Sequence, residues 1–552
     1  MKAQRMKVQP VRRWDRETAL VAQFAACVSF ISFAYYFQHG DLLLYGDAVA
    51  HVNIARRVFD SRTPGLLQLG TVWLPLPHLL MIPFLLSDSA WQSGIGGSIP
   101  SMIAYALGAA GIFRLVRSAL SVNSQPDLLA RIAAWLSALI YAANPNLIYL
   151  QITAMTESLY LAFFIWAVVY FSEFAQELSR KDTTARETSS SLMKCGLCLA
   201  AACLTRYDGW FLAAAMCIAA LVVVLRLRAD DQILRRSLAK FVLLAAAAPA
   251  LWLAYNAIIY RNPLEFANGP YSAHAIEQKS ASPAHPGSHD LPLAFSYFLK
   301  SAELNMAEGN WEKLWVAVLL AGTLGILILD RRLWPLLLLW VPLPFYMLSI
   351  AYSGVPIYLP AWWPFSFYNV RYGLQLLPLF SVAAALLTYF LLRLVQKKLA
   401  TTMVVSAALI LLAASYRSVW QAQPVCFREA WVNSRSRIAL ETELASNLKK
   451  LPHDSALLMY LGDHVGALQR AGIPLRRTIN EGNHRPWKAP TDREGLWERA
   501  LANPAQYVDF VVALDGDPVA VAVQRQSLSS MVVIRTAGQP AATIYWTHRS
   551  TR

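Results

Sequence analysis

Residues 18–38, 95–113, 132–150, 241–260, 372–392 and 399–416 contain no Asp, Glu, Lys or Arg, and 333–370 stays uncharged over a longer run. About 20 apolar residues in a helix cross a hydrocarbon core about 30 Å thick. Further apolar helices are expected at 151–172 and 312–329. The stretch 73–88 is short and carries Pro75, Pro77 and Pro83, and 196–225 is interrupted by Arg206 and Asp208. The pattern predicts an all-α polytopic membrane domain over residues 1–416, with about eleven crossings of that length. From Arg417 onward charges are frequent and apolar runs short. An amphipathic helix is expected at 435–450, with strands at 456–461, 508–513, 531–536 and 542–547. Residues 417–552 therefore read as a small soluble α/β domain, large enough for its own core.

Composition agrees. Of 552 residues, 56% are hydrophobic and 15% charged, against about 45–50% and 25% in soluble domains. A soluble enzyme, a disordered chain and a disulfide scaffold are excluded. The formal charge of +15 would suggest nucleic acid in a soluble protein. Here the basic residues cluster beside apolar runs, so no nucleic-acid partner is expected. Lys2, Arg5, Lys7, Arg12, Arg13 and Arg16 predict a cytoplasmic N-terminus and an uncleaved first helix. The loop 39–72, the larger loop 261–311 and the C-terminal domain then lie outside. Basic clusters at 114–131, 180–186, 226–236, 331–332 and 393–398 are all cytoplasmic if 73–88 enters only part-way and 196–225 crosses twice. The alternative, a full crossing by 73–88 and a single one by 196–225, moves Glu157 to the other face.

Five of the six cysteines lie in apolar runs, so Cys195-x-x-Cys198 reads as packing. His274, His285 and His289 have no metal-ligand spacing. No nucleotide loop, nucleophile elbow or internal repeat is present.

The chemistry gathers elsewhere. In Asp47-Ala-Val-Ala-His51 the acid and imidazole are i, i+4 on a helix expected over 48–59. Val52, Ala55 and Phe59 are expected to rest on the bilayer, with Arg56 alongside. Two readings fit Asp47: a helix N-cap, or a general base at the membrane surface. Glu157, Arg206 and Asp208 are ionisable groups within apolar helices, which are costly and mark function or a buried pair. Arg371 and Tyr372 open a helix behind an aromatic, proline-rich loop. Arg371 fits either a phosphate clamp or interfacial snorkelling.

In order, these features resemble the GT-C superfamily of membrane glycosyltransferases, in the branch containing protein O-mannosyltransferases and the lipid A aminoarabinose transferase. The resemblance spans roughly 15–400. It rests on a first helix, an external loop with an early Asp, the proline-led Trp73-Leu-Pro-Leu-Pro-His78, an acid after Asn144-Pro145, Thr205-Arg206, and Arg371-Tyr372 ahead of Pro378. It implies Asp47 as the catalytic carboxylate, Glu157 as a second acid, and Arg206 and Arg371 near the lipid phosphate. Two departures stand out. Ala48 follows Asp47 where the family often has Glu, and Leu76 replaces a frequent lysine. His51 or His78 would compensate, and a divalent cation stays open.

The implied reaction moves a sugar from a polyprenyl-phosphate donor to a hydroxyl of a protein, lipid or glycan acceptor, by inverting displacement at the outer face. The rival readings are a lipid or solute transporter, or flippase, and a sensor or scaffold.

Overall fold

The computed structural model describes residues 15–121, 127–179, 185–227, 231–269, 272, 275, 284–395, 397–462, 464–483 and 495–547. His274 and the N-terminal basic cluster before Asp15 lie outside them. The molecule is mostly helical, with a small sheet near the C-terminus. Among the described residues nine helices are long and apolar enough to cross a membrane, fewer than the eleven or so expected. Leu128–Ala142 is a shorter apolar helix, and Ala185–Cys203 carries Arg186, Glu187 and Lys194.

Helix α1 (Arg16–His39) starts where the Asp15 carboxylate accepts from Thr18 N and ends on Gly40, in the left-handed region at φ 78°. Helix α2 (Gly46–Arg57) follows. Its Val52 and Ala55 are fully buried and Phe59 is half-buried, which corrects the expectation of a bilayer-facing stripe. Helix α3 (Leu76–Met81) has six residues, about 9 Å of helix, too short to cross. The long helix α4 (Ile95–Leu120) approaches α2 at Gly97. A Cβ there would meet Val52 at 2.5 Å and Ala154 at 2.7 Å. Glycine at 97 thus lets α2 tuck into the protein instead of lying on lipid.

Helices α5 (Leu128–Ala142) and α6 (Glu157–Ser179) pack against α4. The 196–225 stretch is two helices, α7 (Ala185–Cys203) and α8 (Asp208–Leu227). Segment 72–78 docks on the break between them: Leu76 N donates to Leu204 O (3.0 Å) and the Tyr207 hydroxyl to Val72 O (3.1 Å). Residues 73–88 thus hold only short helical pieces, and 196–225 is broken near Arg206.

Helix α9 (Gln232–Tyr260) leads to the 261–311 region. This region is not all loop, because α10 (Leu291–Met306) forms behind an Asp290 cap. Helices α11 (Asn310–Ile328) and α12 (Pro342–Tyr352) follow. A tight helical turn, Val370–Leu376, then opens into α13 (Leu377–Leu394). Helix α14 (Lys398–Ala422) ends before Pro424, and α15 (Val425–Leu448) begins ten residues ahead of the expected amphipathic helix.

The C-terminal sheet contains β1 (Leu457–Met459), β2 (Thr478–Ile479), β3 (Phe510–Leu514), β4 (Ser529–Ile534) and β5 (Ala542–Trp546). Its order is β2-β1-β3-β5-β4. β1 runs parallel to β2 and β3, and β5 antiparallel to β3 and β4. Neighbouring side chains of a strand face opposite ways. Leu457, Met459, Phe510, Val512 and Leu514 accordingly join the large core shared with the helices. Leu458, Val511 and Ala513 face a smaller core with Trp497 and Val508. Gln469 bridges domain and bundle, donating to Trp91 O (2.6 Å) and accepting from Asn53 (2.9 Å).

Candidate active site

Asp47 sits in the first turn of α2. The residue before the helix, Tyr45, makes no side-chain cap, so the N-cap reading of Asp47 is not what the structure shows. Its Oδ2 instead accepts from Arg371 Nη2 at 2.6 Å. Arg371 lies in the turn that follows Asn369, which adopts a left-handed conformation at φ 56°. Gly373 two residues on lets this turn press against Ser301 of α10. Three carboxylates surround the one guanidinium. Besides Asp47, Glu429 of α15 accepts from Nη1 (2.7 Å) and Glu157 lies 3.3 Å from Nε. Glu429 also accepts from Val370 N at 2.7 Å, which fastens the turn itself.

Arg206, in the break between α7 and α8, forms the second half of the cluster. It donates to Thr156 (3.0 Å), Glu157 (3.2 Å) and the Tyr346 hydroxyl (2.9 Å), and lies 3.4 Å from Asp208. Tyr346 in turn donates to Asp208 at 3.0 Å. Glu157 Oε1 therefore bridges both arginines. The Tyr372 ring is packed by both as well, 5.0 Å from Arg206 and 5.1 Å from Arg371. Cation–π attraction adds to the ion pairs that hold the two cations close.

Four carboxylates (Asp47, Glu157, Asp208, Glu429) surround these two guanidiniums. Exposure separates them. The Asp47 side chain is 40% exposed, against 1% for Glu157 and Glu429 and 2% for Asp208. Among the four, Asp47 is the one an incoming molecule reaches. The site also holds buried polar atoms without a hydrogen-bond partner: Glu157 Oε2, Asp208 Oδ1, Arg371 Nε and the Gln375 side-chain amide.

His51, one turn along α2 from Asp47, packs against Trp73 at 4.8 Å between ring centroids. Its Nδ1 lies 2.8 Å from His78 Nε2. Burial, helped by Arg206 and Arg371, pushes the His51 imidazole down to about 3. Burial, then His51 and Arg57, lowers His78 well below the usual range. Both are neutral at physiological pH, and one ring donates to the other.

Of the residues singled out from sequence, Asp47, Glu157, Arg206, Asp208, Arg371 and Tyr372 come together, with the His51–His78 pair close by. Arg56 does not join them. Its guanidinium is bound to Asp60 (2.9 Å), Leu85 O (2.6 Å) and Asp88 (2.5 Å). Glu429 and Tyr346 were missed. Glu429 sits in the mostly apolar Val425-Cys-Phe-Arg-Glu-Ala-Trp-Val432, a faint signal for a buried acid. Tyr346 lies in an uncharged run and gives none. The divalent cation left open by the resemblance does not fit: each of the four carboxylates is turned to a guanidinium. Among the described residues, no three His, Cys, Asp or Glu converge as metal ligands.

Residues 112–259, which include Glu157, Arg206 and Asp208, match the family model for dolichyl-phosphate-mannose-protein mannosyltransferase, PMT. The whole chain is similar in structure to ArnT from Cupriavidus metallidurans bound to undecaprenyl phosphate. That likeness has a TM-score of 0.57 at 14% identity and covers 96% of this chain and 98% of that one. The apo state of ArnT matches with a TM-score of 0.57 at 15% identity, covering 97% and 98%. An apo oligosaccharyltransferase from Archaeoglobus fulgidus is more distant, with a TM-score of 0.49 at 12% identity over 96% and 74%. A search of curated proteins by sequence found no match. The chain is thus an integral, multi-pass membrane protein with an ArnT-like GT-C fold. The family model matches one segment of the chain, and the structural likeness extends over its length.

Proposed function

We propose that the protein transfers a sugar from a polyprenyl-phosphate donor to an acceptor hydroxyl on the extracytoplasmic side, by inversion, with Asp47 as general base. The observation that carries this reading is the single exposed carboxylate, Asp47, held against an arginine that two buried acids grip from behind. Undecaprenyl phosphate in the ArnT structure supports a polyprenyl phosphate as the lipid partner, and membrane lipids surround the helices.

The geometry suggests how the groups act. A donor phosphate near Arg371 competes with Asp47 for Nη2, while Glu429 and Glu157 keep the guanidinium in place. Asp47, released, takes the proton of the acceptor hydroxyl as its oxygen attacks the anomeric carbon. The bond from that carbon to the phosphate oxygen breaks, and polyprenyl phosphate leaves with the electron pair. Arg371 and Arg206 stabilise its charge, an electrostatic contribution of the oxyanion type. General base catalysis adds about 10²–10⁴ in rate. The neutral His51–His78 pair stands in for the lysine that the family often has at the position of Leu76.

Purified protein in detergent, given a radiolabelled polyprenyl-phosphate sugar and acceptor, tests the reading. Detergent has no compartments, so a transporter leaves the donor intact and a transferase consumes it. Full transfer by a folded Asp47→Asn variant removes the base assignment. Unchanged donor affinity in Arg206→Ala removes its phosphate role.

A further inference from the structure

The end of the bundle opposite Asp47 holds a second recess. Helix α1 separates the two ends by 24 residues, about 36 Å of rise. A groove with a cavity volume of about 470 Å³ opens between α1, α5, α13 and α14. Its walls are apolar, among them Phe24, Trp135, Leu139 and Leu409, and Arg131 is the one charged residue in its lining. Along α5 it runs from Leu128 to Leu139, about 16 Å of rise. One leaflet of a hydrocarbon core is about 15 Å deep. The groove therefore has the length of a single acyl chain and lies in the leaflet next to the starts of α1, α5 and α14.

The mouth is basic. Exposed Arg16 starts α1, Arg393 ends α13, and Lys397 and Lys398 start α14. The nearby acids are committed. Asp15 and Glu17 pair with Arg117, Glu17 also pairs with Arg131 (2.7 Å), and Asp127 caps α5. Among the described residues no carboxylate pairs with Arg16, Lys397 or Lys398. An apolar slot one leaflet deep beneath uncompensated cations is complementary to one kind of molecule.

We propose that this groove is a binding site for an anionic phospholipid, with one acyl chain in the slot and its phosphate headgroup at Arg16, Lys397 and Lys398. The site is separate from the Asp47 cluster and does not depend on the proposed reaction. A polyprenyl tail is far longer than one leaflet, and a zwitterionic lipid gains little from the basic mouth. Each basic residue near an anionic lipid surface contributes roughly fivefold in affinity.

Native mass spectrometry of the full chain, after reconstitution with equal phosphatidylglycerol and phosphatidylcholine and controlled delipidation, tests the site. Wild type retains phosphatidylglycerol in preference. Ala408→Trp, which fills the slot, loses retention of both lipids. The triple variant Arg16→Gln, Lys397→Gln, Lys398→Gln keeps a bound lipid and loses the preference. Its substitutions are all on exposed positions, so it reports even where Ala408→Trp fails to fold. Equal retention of the two lipids by wild type, unchanged preference in the triple variant, or displacement by undecaprenyl phosphate overturns the proposal.

Discussion

Helix α2 carries an ionic cluster at each end, and the two are built differently. At its C-terminal end Arg56 is complete. Asp60, Asp88 and Leu85 O take its donors, and Phe59 and Trp91 stack on it at 5.0 and 4.9 Å. Asp60, itself buried, also accepts from Leu475 N and Arg476 N of the C-terminal domain. At the N-terminal end Arg371 and Arg206 share four acids, yet the buried oxygens Glu157 Oε2 and Asp208 Oδ1 accept no hydrogen bond. Buried polar atoms are nearly always satisfied, and an exception calls for a reason. A closed cluster clamps one structure. An open one, with Asp47 at its exposed edge, has capacity left for a ligand.

The contrast breaks most sharply at Asp47. Asp47→Asn keeps the shape and loses the base, so transfer falls about 10²–10⁴-fold with the melting temperature unchanged, as paired rate assays and thermal melts report. Arg56→Ala does the reverse. It takes the closest cation from buried Asp60, which keeps Arg476 at 3.2 Å, at a cost of up to about 3–5 kcal/mol. Thermal melts show the loss, and activity per folded molecule stays close to wild type.

Glu429→Ala probes how Arg371 is held. A hydrogen bond to a charged group contributes about 1.5–3 kcal/mol, so kcat/KM falls roughly 10- to 150-fold. Glu429→Gln, which retains an acceptor for Val370 N, recovers part of this loss. Equal losses in the two variants break the assigned role.

The last probe is pH, and it reads stability and not transfer. His51 and His78 are held below their unfolded value, so the unfolded chain binds more protons between about 3 and 6.5. The stability of the neutral pair is fully present above about pH 6.5. It declines as pH falls towards 3, by at most about 1.4 kcal/mol per unit for each histidine. Melts from pH 7.5 to 4.5 measure the slope, and His51→Gln with His78→Gln flattens it.

Much of the site's membership was legible because intramembrane charge is expensive. Glu157, Arg206, Asp208 and Arg371 stand out against apolar surroundings, and the i, i+4 step of Asp47 and His51 puts them on one helix face. Glu429 was hidden by its place beyond the last apolar run, and Tyr346 by having no charge. The bilayer-facing stripe on α2 was misread. A periodic apolar face says that something covers it, and Gly97 on another helix decides that the cover is protein.

What the chain alone determined follows from local rules. Apolar runs of membrane length, broken by proline or charge, set the helices, and alternating apolar residues set the sheet. The tertiary structure decided which charges meet. Asp47 and Arg371 are 324 residues apart, and neither residue carries any mark of the other. Their pairing, and the grip of Glu429 from a third element, arise when packing brings three helix ends together in a space from which water is largely excluded. There each charge must find its partner among whatever the fold has placed within reach.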